Sequence, residues 1–488
     1  MINKIKSTVG SNSLLSRSIR AGSMLTIGSL VDNALRFLRN IILARLLAPE
    51  DFGLMAMVIA SGAVLEAFSE VGLRQAVIQN KNGGEIGFVN IIWWVSSFRG
   101  MILYAIAFLA APFICDFYNK PQALDLLRIG FLVVLINGLG SPRVILLEKE
   151  LKFKRWVLIM QGSGIISVLV GIGAAFFLHN VWALLIAYVT EAVLRLLLSF
   201  IFCPFVPRLQ INPEYTRDIL NFSKKMFGLP ILMMLFVQTD VFVIGKVLSV
   251  GLLGMYSLAR GLAEMPAMLA AKIVHPIALP ALSTMQDEKV RLNNTFLSIT
   301  RTIATFGIPL FSFFILFSGQ ILSVAYGTAY RIVAIPFGIL CMYSFFLMCS
   351  SIIFVVYVSI GRPDIHRTAS LIRTVLFLII IYPATVSFGL VGSSASLLLS
   401  ALLLLTAQMF YLHRILNIHV TEYFQTWMVG IKLSIIVIMP GILLQVVDYS
   451  HTVVSVVIGI SCCLVAWGLG AISMGRRHSL SSSTEPIS

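Results

Sequence analysis

Charge is scarce in this chain. Only 12% of its 488 residues are Asp, Glu, Lys or Arg, about half the ~25% usual in soluble domains. With 58% of residues hydrophobic and a mean hydropathy of +0.94, there is too little polar surface to cover a water-soluble body of this length. Cysteine is scarce too. Cys115, Cys203, Cys341, Cys349, Cys462 and Cys463 form no CxxC pair, which argues against a zinc ribbon, a thioredoxin-like redox site or a disulfide framework. They read as small buried hydrophobes. The seven histidines contain no HExxH, and no P-loop is present. No metal, no cofactor and no ATPase activity are therefore expected of this chain. A cleavable signal is also missing, because the first apolar run is too long and too charged for one. Large polar loops are absent as well. That argues against a membrane glycosyltransferase or polymerase, which needs acidic residues in sizeable outer loops. Glu50 and Asp51 in the first outer loop read as a span-capping turn.

What remains is a succession of apolar runs. Each crossing takes roughly 20 mostly apolar residues. Fourteen runs qualify: 22–46, 53–74, 88–112, 126–148, 157–178, 181–203, 225–248, 252–275, 296–318, 332–358, 368–388, 391–412, 426–446 and 453–473. The expected class is all-α, a polytopic membrane protein of about 14 transmembrane helices. The cations support that count. With the N-terminus inside, every second loop should be basic. Lys149, Lys152, Lys154 and Arg155 follow span 4, and Arg208, Arg217, Lys224 and Lys225 follow span 6. Lys289 and Arg291, Arg362 and Arg367, Arg414, and finally Arg476 and Arg477 continue the alternation. The opposite loops are almost free of cations, Lys120 being the clearest exception. The reading is N-in, C-in, with the net charge of +15 facing anionic lipid rather than nucleic acid.

A weak repeat about 200 residues apart divides the spans. Leu43-Ala44-Arg45-Leu46-Leu47 followed by Phe52-Gly53-Leu54-Met55 is echoed by Ile244-Gly245-Lys246-Val247-Leu248 followed by Leu253-Gly254-Met255-Tyr256. The copies join spans 1 to 2 and 7 to 8. An even number of spans per half gives parallel repeats about an axis along the membrane normal, a plan typical of transporters. The expected organisation is a six-helix bundle over 1–203, a cytoplasmic linker over 204–224 and a second, pseudo-symmetric six-helix bundle over 225–412. Two additional helices follow over 426–473, with a cytoplasmic tail over 474–488.

Ionisable residues inside a span normally face a cavity or a partner. Asp32, Arg36 and Arg39 share one face of span 1, and Glu66 and Glu70 share one face of span 2. Arg99 lies in span 3, Arg143 in span 4, Asp240 in span 7, and Arg260 with Glu264 in span 8. The cations Arg36, Arg39, Arg99, Arg143 and Arg260 outnumber the carboxylates Asp32, Glu66, Asp240 and Glu264. A cavity with surplus arginine suits an anionic ligand, because the guanidinium fork matches phosphate oxygens. Spans 13 and 14 are nearly uncharged and are expected outside the central site.

Two stretches carry a family resemblance. One is Leu43–Leu54 with Val71–Gln79, and the other runs from Gln238–Lys246 through Gly251–Tyr256 to Pro276–Pro280. The chain resembles the polysaccharide transporter (Wzx-type) family of the multidrug/oligosaccharidyl-lipid/polysaccharide exporter superfamily, particularly its colanic-acid-exporter-like branch. The resemblance implies two six-helix bundles in a V around a cavity. It also implies a flippase that moves undecaprenyl-pyrophosphate-linked oligosaccharide across a bacterial inner membrane and hands it to a polysaccharide polymerase or assembly machinery. Pyrophosphate would be held by Arg36, Arg39, Arg99, Arg143 and Arg260. Coupling to H+ or Na+ would use Asp32, Glu66, Asp240 or Glu264. A multidrug antiporter on the same fold would prefer cationic drugs and carboxylates, and a lipid II flippase would share the cationic cavity.

Overall fold

A computed structural model describes residues 14–69, 72–150, 152–208, 213–226, 229–446 and 452–482. Glu70 and Val71 lie outside these. Every regular element among the described residues is helical. Among the described residues, ten helices are long and apolar enough to cross a membrane, by length and composition. The chain divides into two compact units, Met1–Ser257 and Leu258–Ser488.

In the first unit, α1 (Leu14–Leu46) and α2 (Pro49–Ser69) are followed by the short α3 (Leu73–Gln79) and by α4 (Ile86–Tyr118). The fourth expected run, 126–148, is not one rod. It is divided into α5 (Leu124–Gly130), α6 (Leu132–Leu139) and α7 (Arg143–Lys149). Gly140 is extended, at ψ 155°, and Pro142 lacks the N–H that would continue the ladder. Arg143 therefore stands on a separate short helix beyond the break rather than within a span. Then come α8 (Phe153–Leu178), α9 (Val181–Phe202), the amphipathic α10 (Pro213–Met226), α11 (Leu229–Val247) and the start of α12 (Val250–Ser283).

Small residues let these helices approach closely, as is usual where lipid supplies no hydrophobic drive between them. A Cβ on Gly164 of α8 would come within 3.0 Å of Asp32 and 3.2 Å of Arg36 on α1, and one on Gly171 within 2.8 Å of Ala187 on α9. The two copies of the repeat meet each other here. A methyl group on Gly53 would overlap the Val250 carbonyl, and one on Gly254 would overlap the Pro49 carbonyl. Pro49 and Val250 each stand four residues before their own glycine. The contact is thus reciprocal. The preceding small-cation pair has its own role in the second copy. Gly245 leaves room for Tyr118, whose ring stacks on Phe242 at 6.3 Å. Lys246 Nζ donates to the Phe117 carbonyl at 2.6 Å, placing a cation on the negative end of α4.

In the second unit, α13 (Lys289–Leu316), α14 (Ser318–Tyr326) and α15 (Ala334–Ser359) precede the 54-residue α16 (Pro363–Leu416). This element reverses at Gly389, with φ 58° and ψ −138°, a conformation essentially restricted to glycine. A Cβ on Gly392 would overlap the Ala384 carbonyl, whereas a straight helix would hold those residues about 12 Å apart. The arms 363–388 and 390–416 are therefore two helices, as the sequence runs indicate. The chain ends with α17 (Val420–Gln425), α18 (Met428–Val446) and α19 (Thr452–Ser482). Helices α18 and α19 pack against α13. Gly430 lies against Ala304 and Gly459 against Phe313, while Trp467 Nε1 donates to the Phe306 carbonyl at 2.9 Å.

Candidate functional site

The charges of α1 meet those of α9 in the first unit. Asp32 and Arg36 are one helical turn apart, and Arg36 Nε lies 3.1 Å from the Asp32 carboxylate. The other end of the same guanidinium reaches Glu191 Oε1 at 2.8 Å. Glu191 is bridged again, by Arg195 Nη2 at 2.7 Å, one turn further along α9. The side chain of Glu191 is 12% exposed, so in this apolar setting each arginine needs the carboxylate and the carboxylate needs both. The missing side chain at Gly164 makes the space that Asp32 and Arg36 occupy.

This network forms one wall of a cavity of about 290 Å³. Arg36, Arg39, Glu66, Asn137, Glu191 and Arg195 supply its polar lining, and Met55, Ile59, Val133 and Leu184 are among its apolar lining. Asn137 Nδ2 donates to Glu66 Oε1 at 3.4 Å. Arg39 differs from its neighbours. Its guanidinium bonds the Asn40 side chain at 3.1 Å, and it has no carboxylate at ion-pair distance among the described residues. The three lining arginines face two lining carboxylates, and Asp32 joins from behind Arg36. The formal charges cancel, so the cationic excess inferred from the sequence narrows to one locally uncompensated group, Arg39.

The remaining sequence candidates lie elsewhere. Arg99 is half-buried on α4 and does not line this cavity. Arg143 Nη1 donates to the Pro204 carbonyl at 2.8 Å, which fastens α7 to the segment after α9. Asp240 on α11 is fully buried and accepts from Tyr256 Oη at 2.8 Å. Arg260 and Glu264 pair at 2.8 Å in the second unit. Among the described residues no cluster of His, Cys, Asp and Glu could hold a metal. Glu191, Arg195, Asn137 and Tyr188 are not among the residues singled out from the sequence. Glu191 and Arg195 are the charges of α9, spaced i,i+4, and that spacing is the available signal.

A second cavity, of about 410 Å³, adjoins the first and shares Asn137, Ala192 and Arg195 with it. Its wall carries a fixed polar triad. Glu148 accepts from Arg74 Nε at 2.9 Å and from Trp156 Nε1 at 2.7 Å.

Comparison with known proteins follows the same lines. The family described as "Polysaccharide biosynthesis protein" matches residues 42–335. An uncharacterized membrane protein in the cps region of Klebsiella pneumoniae is 20% identical over 92% of this chain and 94% of its own. The lipopolysaccharide biosynthesis protein WzxC of Escherichia coli K12 is 21% identical over 80% of this chain and 79% of its own. Among solved structures, the lipid II flippase MurJ in an inward closed conformation superposes with a TM-score of 0.75 at 14% identity, covering 92% of this chain and 99% of that one. The fold is thus the one adopted by that flippase. The chain is a multi-pass membrane protein and belongs to the polysaccharide biosynthesis protein family.

Proposed function

We propose that this chain is a flippase that carries lipid-linked oligosaccharide units, the precursors of an exopolysaccharide, capsule or O-antigen, across a bacterial inner membrane by alternating access. The observation that carries the reading is Arg39, a cavity cation with no carboxylate at ion-pair distance among the described residues, beside a neutralised Arg36–Glu191–Arg195 network. A pyrophosphate and its sugars cannot cross hydrocarbon unaided, because their polar groups would be stripped of water without replacement. An arginine held in a cavity replaces that hydration with charge-assisted hydrogen bonds. The lipid tail, undecaprenyl in this reading, stays in the bilayer while the headgroup moves.

In this reading the chain is a fourteen-span, N-in/C-in protein of two six-helix bundles with two added helices. Transport rather than chemistry is the activity. With no P-loop, the driving force is an ion gradient or removal of product by polymerase and assembly machinery. Asp32, Glu66, Asp240 and Glu264 are the candidates for H+ or Na+. A cationic drug fits this site less well than a phosphate, since it would have to lie beside Arg39, whose guanidinium has no carboxylate at ion-pair distance among the described residues. Arg39→Ala should abolish polysaccharide export while the protein still inserts in the membrane. Undiminished export would remove Arg39 from the phosphate clamp.

A further inference from the structure

The two adjoining cavities differ in character. The first is polar and arginine-rich. The second is walled by apolar side chains such as Ile92, Ile159 and Met160 and carries the Arg74–Glu148–Trp156 triad. Trp156 rests on the apolar cluster of Val144, Leu147 and Ile159. Its indole N–H is held by Glu148 at 2.7 Å, so the ring cannot turn freely. The Glu148 side chain is 14% exposed and that of Arg74 58%, placing a fixed carboxylate beneath a more open guanidinium.

This is the chemistry a pyranose ring requires. A sugar presents patches of C–H that pack on an apolar or aromatic wall, and a rim of hydroxyls that pairs with planar polar side chains. A volume of about 410 Å³ falls in the range of small-ligand sites, roughly 300–1,000 Å³.

Arg195 stands at the joint. It lines both cavities, and its Nη2 is committed to Glu191. Its Nε is buried with no hydrogen-bond partner among the described residues, and such an orphaned donor calls for an acceptor. In a lipid-pyrophosphate saccharide the first sugar is bonded directly to a phosphate. A guanidinium between a cationic and an amphipathic chamber matches that junction.

We infer that the cavity against Trp156 is the subsite for the first sugar of the lipid-linked saccharide. Trp156 packs on the ring, Arg74 and Glu148 read its hydroxyls, and Arg195 holds the sugar-proximal phosphate. The assignment rests on the flippase reading above and adds to it where selectivity for the initiating sugar resides.

The test uses the full-length protein in lipid nanodiscs, titrated with undecaprenyl pyrophosphate and with its glucosyl, galactosyl and N-acetylglucosaminyl forms. For the unsubstituted protein, at least one glycosylated lipid should bind about tenfold tighter than the bare lipid. Trp156→Ala should bring that ratio close to one, Arg74→Ala should lower it several-fold, and Trp156→Phe should retain most of it. Binding of the bare lipid reports whether each variant is folded. A ratio unchanged in Trp156→Ala, or no preference for any glycosylated lipid in the unsubstituted protein, overturns the subsite. Failure of the unsubstituted protein to bind any of the four lipids overturns the flippase reading itself.

Discussion

Glu191 neutralises two arginines at once, at 2.8 Å from Arg36 and 2.7 Å from Arg195. Removing that carboxylate therefore strands Arg195 and leaves Arg36 with Asp32 alone. Loss of a partner from a fully buried pair costs about 3–5 kcal/mol. Here both arginines are about a third exposed, so solvent screening should reduce the cost to about 1–3 kcal/mol. Glu191→Ala is expected to lower the melting temperature of the purified protein, and Arg195→Met in the same chain should recover part of the loss. Strict additivity of the two substitutions would show that the bridge carries no energy. The Asp32–Arg36 pair is legible in the sequence, because i,i+4 spacing forces it. Its second partner is not legible, since 155 residues separate Arg36 from Glu191 and only packing of α1 against α9 joins them. The position of Arg143 departs from the sequence reading for a related reason. Hydropathy continues through Gly140 and Pro142, while the backbone ladder does not. A hydropathy count registers side-chain transfer energy and is blind to a missing N–H.

Helices in this fold meet through glycine, and the repeat in the sequence marks one of the close meetings. The resemblance of 43–55 to 244–256 reads at first as a trace of duplication. The structure gives it a physical cause, since each copy supplies a glycine where the other supplies a carbonyl. Gly53→Ala and Gly254→Ala should each cost roughly 1–3 kcal/mol, or prevent accumulation, by overpacking. At the neighbouring Gly62 an added methyl group would meet nothing within 4 Å, so alanine should be accepted there with little effect. Comparable melting temperatures for Gly53→Ala and Gly62→Ala would contradict the close crossing. Gly389 differs, because there the constraint is backbone conformation rather than space. At φ 58° and ψ −138° a side chain is strained by about 1–3 kcal/mol. Gly389→Val should therefore lower the melting temperature, although an added Cβ would meet no atom within 4 Å.

For the whole molecule, length, hydropathy and the alternation of basic loops carry the class: an all-helical, multi-pass membrane protein. Ten described helices qualify as spans. The arms of α16 account for two of the runs read from sequence. Helix α1 carries Asp32, Arg36 and Arg39 along its length, the charges that build the cavity. The proposed orientation is open to direct test. In intact cells, a cysteine substituted at Lys120 should react with a membrane-impermeant thiol reagent, and one at Lys152 should not. Five of the six native cysteines are buried, which keeps the background low. The central claim is that the headgroup of a lipid-linked oligosaccharide crosses the membrane through this protein, held by Arg39. The most direct measurement is the leaflet distribution of that lipid in cells depleted of the protein and complemented with either the unsubstituted chain or Arg39→Ala. The account predicts accumulation at the cytoplasmic face on depletion, relief by the unsubstituted chain and none by Arg39→Ala. An unchanged distribution on depletion would contradict it.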